Sequence, residues 1–88
     1  MTAYCYILFS VKLNKYYTGS SPDILRRLND HNRGKEKFTS TGIPWILVYQ
    51  EIFNSLPDAR KREKQIKNQK SRKYIENLIR STGEASRF

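Results

Sequence analysis

Six consecutive apolar and aromatic side chains, Tyr4-Cys5-Tyr6-Ile7-Leu8-Phe9, constrain this chain more than any other feature in it. An alternating strand could leave one face wet, but an unbroken run needs cover on both faces, as the middle strand of a sheet receives. The 88 residues that must supply that cover suffice for one domain and not for two. The run is also far shorter than the ~20 residues of a membrane-spanning helix, and no basic signal-type segment precedes it, so the chain reads as soluble. Cys5 is the single cysteine. Inside an apolar run it reads as a buried structural thiol in a reducing cytoplasm.

The rest of the chain falls into place around that strand. Leu13-Asn14-Lys15 turns it back into a short hairpin partner, Lys15 to Gly19, and Gly19 lets the backbone turn or a ligand come close. Ser21-Pro22 opens a first helix, with Ser21 as cap, Pro22 at the first helical position and Asp23 at the positive end of the dipole. That helix runs to about Asn32, with Gly34 beyond its end. Gly34 to Pro44 is polar and reads as a surface loop near a site. Trp45 to Phe53 is a third strand. Ser55-Leu56-Pro57-Asp58 reads as a capping box for a second helix, and Ser71 caps a third that buries Tyr74, Ile75, Leu78 and Ile79 and ends near Gly83. The predicted fold is a small α/β (α+β) domain over residues 1–83, a three-stranded antiparallel sheet flanked by three helices. Residues 84–88 are expected to form a flexible tail.

Charge narrows the partners. Seventeen Lys and Arg against eight Asp and Glu give +9, a balance suited to nucleic acid. Arg60, Lys61, Arg62, Lys64, Lys67, Lys70, Arg72 and Lys73 fall within one short stretch and make a plausible track for a phosphate backbone, although such a run is also what a solvated helix face looks like. In that stretch Ala59, Glu63 and Ile66 are spaced by four and three, so Glu63 lies on the inward stripe between two apolar residues. An unpaired carboxylate there is costly and needs a cation, either a metal or a basic side chain such as Lys67. In the first helix Ile24, Leu25 and Leu28 define the buried side. Arg27 sits at its margin on the face shared with His31, and Arg26 points away. A lone histidine at a helix end is more often a cap or a hydrogen-bonded surface group than a site residue, and its pairing with Arg27 is what raises the alternative. Trp45 after Pro44 reads as core, while Phe38 remains available to stack on a base.

Taken together, Tyr4-Cys5-Tyr6, Tyr17-Thr18-Gly19, Arg27-x-x-x-His31 and the downstream Glu63 resemble the GIY-YIG nucleases over the stretch from Tyr4 to about Leu78. The likeness is greatest to short stand-alone bacterial members related to the nuclease domain of the excision-repair endonuclease. Tyr4 stands where the first motif usually has glycine. The resemblance implies hydrolysis of DNA phosphodiester bonds with Mg²⁺ or Mn²⁺ held by Glu63, which acts as metal ligand and catalytic group. It further implies that Arg27 stabilises charge on the phosphate, that Tyr6 accepts the proton of the attacking water, that Tyr17 orients water or phosphate, and that His31 supports proton transfer. A single carboxylate makes a thin metal site, so the ion should keep several waters.

The expectation is therefore a divalent-metal-dependent DNA endonuclease of the cytoplasm with little sequence specificity, acting in DNA repair or recombination and targeted by a protein partner or by homodimerisation. Two other classes stand beside it: a non-catalytic nucleic-acid binder of the same fold, and a basic protein-interaction module.

Overall fold

The computed structural model describes residues 2–85, with side chains described through Ser81. In chain order it forms β1 (Ala3–Ser10), β2 (Lys15–Ser21), α1 (Ile24–Asn32), a single 3-10 turn (Ser40–Gly42), β3 (Trp45–Phe53), α2 (Leu56–Gln69) and α3 (Arg72–Ala85). The three strands form one antiparallel sheet in the order β2-β1-β3, so the apolar run does occupy the middle. Register places Tyr6 opposite Gly19 on one side and Gln50 on the other. A bulge between Ile7 and Leu8 shifts the β3 ladder by one residue.

Both faces of β1 are covered, as an unbroken apolar run requires. On one face Tyr6 and Leu8 pack with Ile24 of α1 and Trp45, and Tyr4, Leu13, Tyr17, Leu28, Ile43 and Leu47 close around them. On the alternate face Cys5 and Ile7 are fully buried, and α2 contributes the buried Ala59 and Ile66. Each of the buried leucine and isoleucine side chains contributes about 1.5–3 kcal/mol by leaving water. Burial pushes the Cys5 thiol up to about 12, as expected of a structural cysteine.

Three local readings are corrected. The cap of α1 is Asp23, whose carboxylate accepts from the Arg26 N–H, while the Ser21 hydroxyl accepts from the Asp23 N–H one turn earlier. Ser21 is still paired in β2, which runs two residues past Gly19, so Pro22 lies in the connection and not at the first helical position. Leu25 is 75% exposed. The inward stripe of α1 is Ile24, Leu28 and His31, at spacings of four and three, and Leu25 falls about 100° off it. Finally, Gly83 lies within α3, which continues to Ala85. Of the expected tail, residues 86–88 lie outside the described residues. As expected, Ser55 caps α2, accepting from the Asp58 N–H, and the Ser71 hydroxyl accepts from the Tyr74 N–H at the start of α3.

The loop from residue 34 to residue 44 is less exposed than its polarity suggests. Gly34 takes the left-handed conformation (φ 77°) that ends α1, and Thr39 and Gly42 are buried. The Trp45 indole N–H donates to the Thr39 carbonyl at 2.7 Å. The Asn32 side-chain amide then bonds the Trp45 backbone twice, accepting from its N–H at 2.6 Å and donating to its carbonyl at 3.0 Å. The end of α1 is thereby tied directly to the start of β3.

Candidate active site

The site is built around two consecutive residues of the edge strand β2, Gly19 and Ser20. Their substituents point to opposite faces of the sheet, so each serves a different half of the site. Gly19 has no unusual backbone angle; what it provides is space. A Cβ there would lie 2.6 Å from the Tyr6 hydroxyl, 2.8 Å from Tyr6 Cζ and 3.2 Å from Tyr17 Cε2. The Tyr6 ring crosses directly over this glycine, next to Tyr17.

Arg27, on α1, reaches the same place. Its side chain is 32% exposed, donates to Glu36 Oε1 at 2.7 Å and lies 3.7 Å from Asp30 Oδ2. Burial of Tyr6, 1% exposed, pushes its hydroxyl up to about 12, and the neighbouring Arg27 guanidinium, which favours the phenolate, offsets this only in part. The expected help of nearby positive charge to a Tyr6 phenolate is thus present and is overridden by desolvation in this state. Arg26 is exposed, as the helical geometry predicted.

His31 is buried, not a surface cap. Its ring packs edge-on against Tyr17 with centroids 4.9 Å apart, and its Nδ1 lies 2.8 Å from Thr39 Oγ1. Burial first, and then Arg27, hold its pKa below the ordinary histidine value.

Ser20 serves the other half. Its hydroxyl donates to Glu63 Oε1 at 2.5 Å, and Lys67 Nζ donates to Oε2 at 2.6 Å. Glu63 therefore does lie on the inward stripe of α2 and does have a cation, the lysine one turn along. Lys67 also reaches to 5.8 Å from the centre of the Tyr17 ring, which links the two halves. Beside them Arg60, Glu63, Lys64, Lys67 and Asn68 line an open groove of about 400 Å³.

Whether these residues fit a metal follows from the donor set. Among the described residues no group of three His, Cys, Asp or Glu side chains converges. A hard divalent cation takes six or more oxygens, and Glu63 can offer two at most. The fit is to an ion that keeps its waters and gains further oxygens from a phosphate. It also requires Lys67 Nζ to leave Oε2, which a half-exposed ammonium on a flexible four-carbon stem can do.

The basic track is thinner than the sequence suggested. Arg62 donates from Nε and Nη2 to the two oxygens of Glu51, at 3.0 and 3.1 Å, and from Nη1 to Gln65 and Tyr74. It joins α2 to β3 and α3. Glu51 also accepts from Tyr49, whose pKa is pushed up to about 12 by burial and by that carboxylate. Arg72 clamps the β1–β2 turn, donating at 2.7 Å to both the carbonyl and the side-chain oxygen of Asn14, and lies over the Tyr16 ring. Arg60, Lys61, Lys64, Lys70 and Lys73 are exposed. Trp45 is core, as expected, and Phe38 is 87% exposed.

Ser20, Glu36 and Thr39 escaped the sequence reading. Ser20 adjoins a recognised motif and could have been reached by extending β2. Glu36 and Thr39 lie in an aperiodic loop where no spacing marks them.

Residues 2–75 match the family model described as the GIY-YIG catalytic domain. The UPF0213 protein SH2523 of Staphylococcus haemolyticus is 45% identical over 65 residues, covering 73% of this chain and 78% of the relative. The UPF0213 protein SAG0778 of Streptococcus agalactiae is 44% identical over 62 residues, 69% of each chain. In structure, the chain is similar to the solution NMR structure of the UPF0213 protein BH0048 from Bacillus halodurans, with a TM-score of 0.60 and 36% identity over 94% of this chain and 87% of that one. These matches support a nuclease-type function with DNA as the substrate class.

Proposed function

Since the chain belongs to the GIY-YIG family, we propose that it is a divalent-metal-dependent endonuclease that hydrolyses DNA phosphodiester bonds with little sequence preference. The observation that carries this reading is the meeting of Tyr6, Tyr17, Arg27 and His31 with the Ser20–Glu63 pair across one edge strand. A pure binder needs positive charge but not this set.

Nucleases of this family generally use divalent metals. Glu63 would hold Mg²⁺ or Mn²⁺ together with water and phosphate oxygens, and when bound that ion supplies Lewis-acid stabilisation of charge on the phosphate. Arg27 keeps its guanidinium fork aimed by Glu36 and presents its remaining donors to phosphate oxygens, where charge builds in the transition state. Tyr17 orients the incoming water or the phosphate. Tyr6 receives the water's proton, with His31 as a supporting or alternative proton-transfer group. Lys61, Lys64, Lys67, Lys70 and Lys73, with Arg60, would follow the backbone of the nucleic acid. We assign the activity to DNA repair or recombination in the cytoplasm, an environment in which the buried free thiol of Cys5 stays reduced. A protein partner or a second copy of the chain would supply targeting.

The test is cleavage of single-stranded, nicked, flapped and branched DNA with Mg²⁺ or Mn²⁺. Arg27→Ala and Glu63→Ala should each abolish cutting while circular dichroism and Tm report an intact fold. Cutting that persists in both variants refutes the reading. The alternative, a DNA binder of the same fold, draws support from the Lys67–Glu63 ion pair, which satisfies the carboxylate without a metal. It predicts salt-dependent affinity and no product.

A further inference from the structure

Phe38 holds a large apolar ring in water, 87% exposed, on a backbone that is nonetheless fixed. Across it the Glu36 carbonyl accepts from the Thr39 N–H at 3.1 Å, and the Lys37 carbonyl accepts from the Ser40 N–H at 3.4 Å and from the Ser40 hydroxyl at 2.9 Å. The ring stacks on no other ring among the described residues. Two cavities of about 320 and 340 Å³ adjoin it beside the edge strand β2, and Phe38, Tyr16 and Tyr17 line both. Consecutive strand residues point to opposite faces of a sheet, so a cleft lined by Tyr16 and Tyr17 together lies over the edge itself. Either cavity is of a size that takes a small ligand.

The charge beside this cleft is of one sign. Lys67 and Lys70 line one cavity and Lys15 the other, and no aspartate or glutamate among the described residues lines either. Lys15 and Lys70 form no ion pair among the described residues. An aromatic wall with lysines at both ends suits a nucleotide, the base lying on the ring and the flanking phosphates meeting the ammonium groups. In a duplex each base is already stacked on its neighbours and offers only its edges in the grooves, so only an unpaired base can present a face. We propose that this cleft is a stacking subsite in which Phe38 receives one unpaired base of the DNA strand, which makes Phe38 a specificity-determining residue and DNA with unpaired nucleotides (single-stranded, flapped or branched) the substrate class. The assignment of that base to a substrate rests on the nuclease reading above. Tyr17 lines both cavities and also packs on His31 in the candidate active site, so the stacked base belongs to a nucleotide next to the cleaved phosphate. Stacking accepts every base, which agrees with little sequence preference.

Fluorescence anisotropy in EDTA, where cutting does not intervene, tests the subsite on three probes at one salt concentration: a short single strand, a strand of the same length made of abasic sites, and the matching duplex. Phe38→Ala should weaken binding of the intact strand by roughly 5- to 150-fold, the loss expected for one stacked base, and leave the abasic strand and the duplex unchanged. Phe38→Trp should hold or tighten binding of the intact strand, and Phe38→Leu, apolar but without a ring face, should recover little of the loss. Because the ring is exposed, circular dichroism and Tm should match the wild type in all three variants. With Mg²⁺ or Mn²⁺ the wild type should cut single-stranded, flapped or branched DNA in preference to a fully paired duplex. Unchanged affinity for the intact strand in Phe38→Ala, an equal loss on the abasic strand or the duplex, or full affinity in Phe38→Leu overturns the proposal. Equal cutting of duplex and single strand overturns the substrate class. A wild-type protein that shows the Phe38- and base-dependent binding yet cuts no DNA refutes the nuclease reading and leaves the stacking subsite standing.

Discussion

Replacing Gly19 with alanine adds one methyl group at the most crowded point of the site. The new Cβ would sit 2.6 Å from the Tyr6 hydroxyl and 2.8 Å from Cζ, so reaching ordinary contact near 3.4 Å requires the hydroxyl to move by about 0.8 Å. Tyr6 cannot swing aside freely, because its ring is 1% exposed and packs on Leu8, Ile24 and Trp45. Two effects then compete. Alanine gains roughly 0.5–1 kcal/mol over glycine within a strand, whereas overpacking a rigid core costs about 1–3 kcal/mol. The second wins by about 1–2 kcal/mol, which in a domain of this size lowers Tm by roughly 5–15 °C. The loss of rate is larger in proportion, since misplacing a reacting group by about 1 Å costs on the order of 10²-fold. Thermal melts and single-turnover cleavage measure the two separately. Adding Tyr6→Phe should restore only part of the stability, because Cζ remains too close even after the hydroxyl is gone. A Gly19→Ala protein that melts at or above the wild-type temperature and cuts at full rate refutes the steric account of this glycine.

Lys67→Met should tighten Mn²⁺ binding to the DNA-free protein by up to roughly fivefold, since exposed ion pairs contribute ~0.2–1 kcal/mol; titration calorimetry that shows unchanged or weaker binding contradicts the view that Lys67 competes for Glu63. Arg62→Ala should cost about 1.5–3 kcal/mol in urea unfolding by stripping Glu51 of its guanidinium, and should leave the salt dependence of DNA binding unchanged. Lys64→Ala should do the opposite, lowering the slope of log K against log salt by about 0.9 with little effect on stability. Cys5 should resist a thiol reagent at pH 8 until denaturant is added; rapid labelling of the native protein would contradict its burial. His31 has a folded pKa below its ordinary 6.5, so the unfolded chain binds more protons near that value and stability rises with pH there. Its contribution is complete above about pH 6.5 and is lost as pH falls through the lower folded value. Urea midpoints at pH 7.5 and 5.5 should show this drop in the wild type and a flatter response in His31→Asn.

The fold was legible because its strongest signals are local and repetitive. An unbroken apolar run can only be a covered strand, and Ala59, Glu63 and Ile66 share one stripe whatever lies opposite. Arg27 was separable from Arg26 on the same ground. What resisted reading depends on contacts across the fold. Leu25 is as apolar as Leu28, and only the seat of α1 on the sheet shows that it faces water. Arg62 and Lys64 are equivalent as charges in a run until β3 places Glu51 beneath one of them. His31 looked like a surface group because the loop that buries it, through Thr39 and Trp45, carries no periodicity that announces a core.

The pair of hydrogen bonds between the Asn32 side-chain amide and the Trp45 backbone has an architectural consequence. It acts as one extra rung of sheet ladder contributed by a side chain, so the end of the helix that carries Arg27 and His31 is registered to β3 without relying on the chain between them. The chain between them is left to serve the site directly: Glu36 holds the Arg27 guanidinium and its carbonyl receives the Thr39 N–H. An insertion among residues 35–38 would therefore spoil the aim of Arg27 while the helix end stays seated on β3.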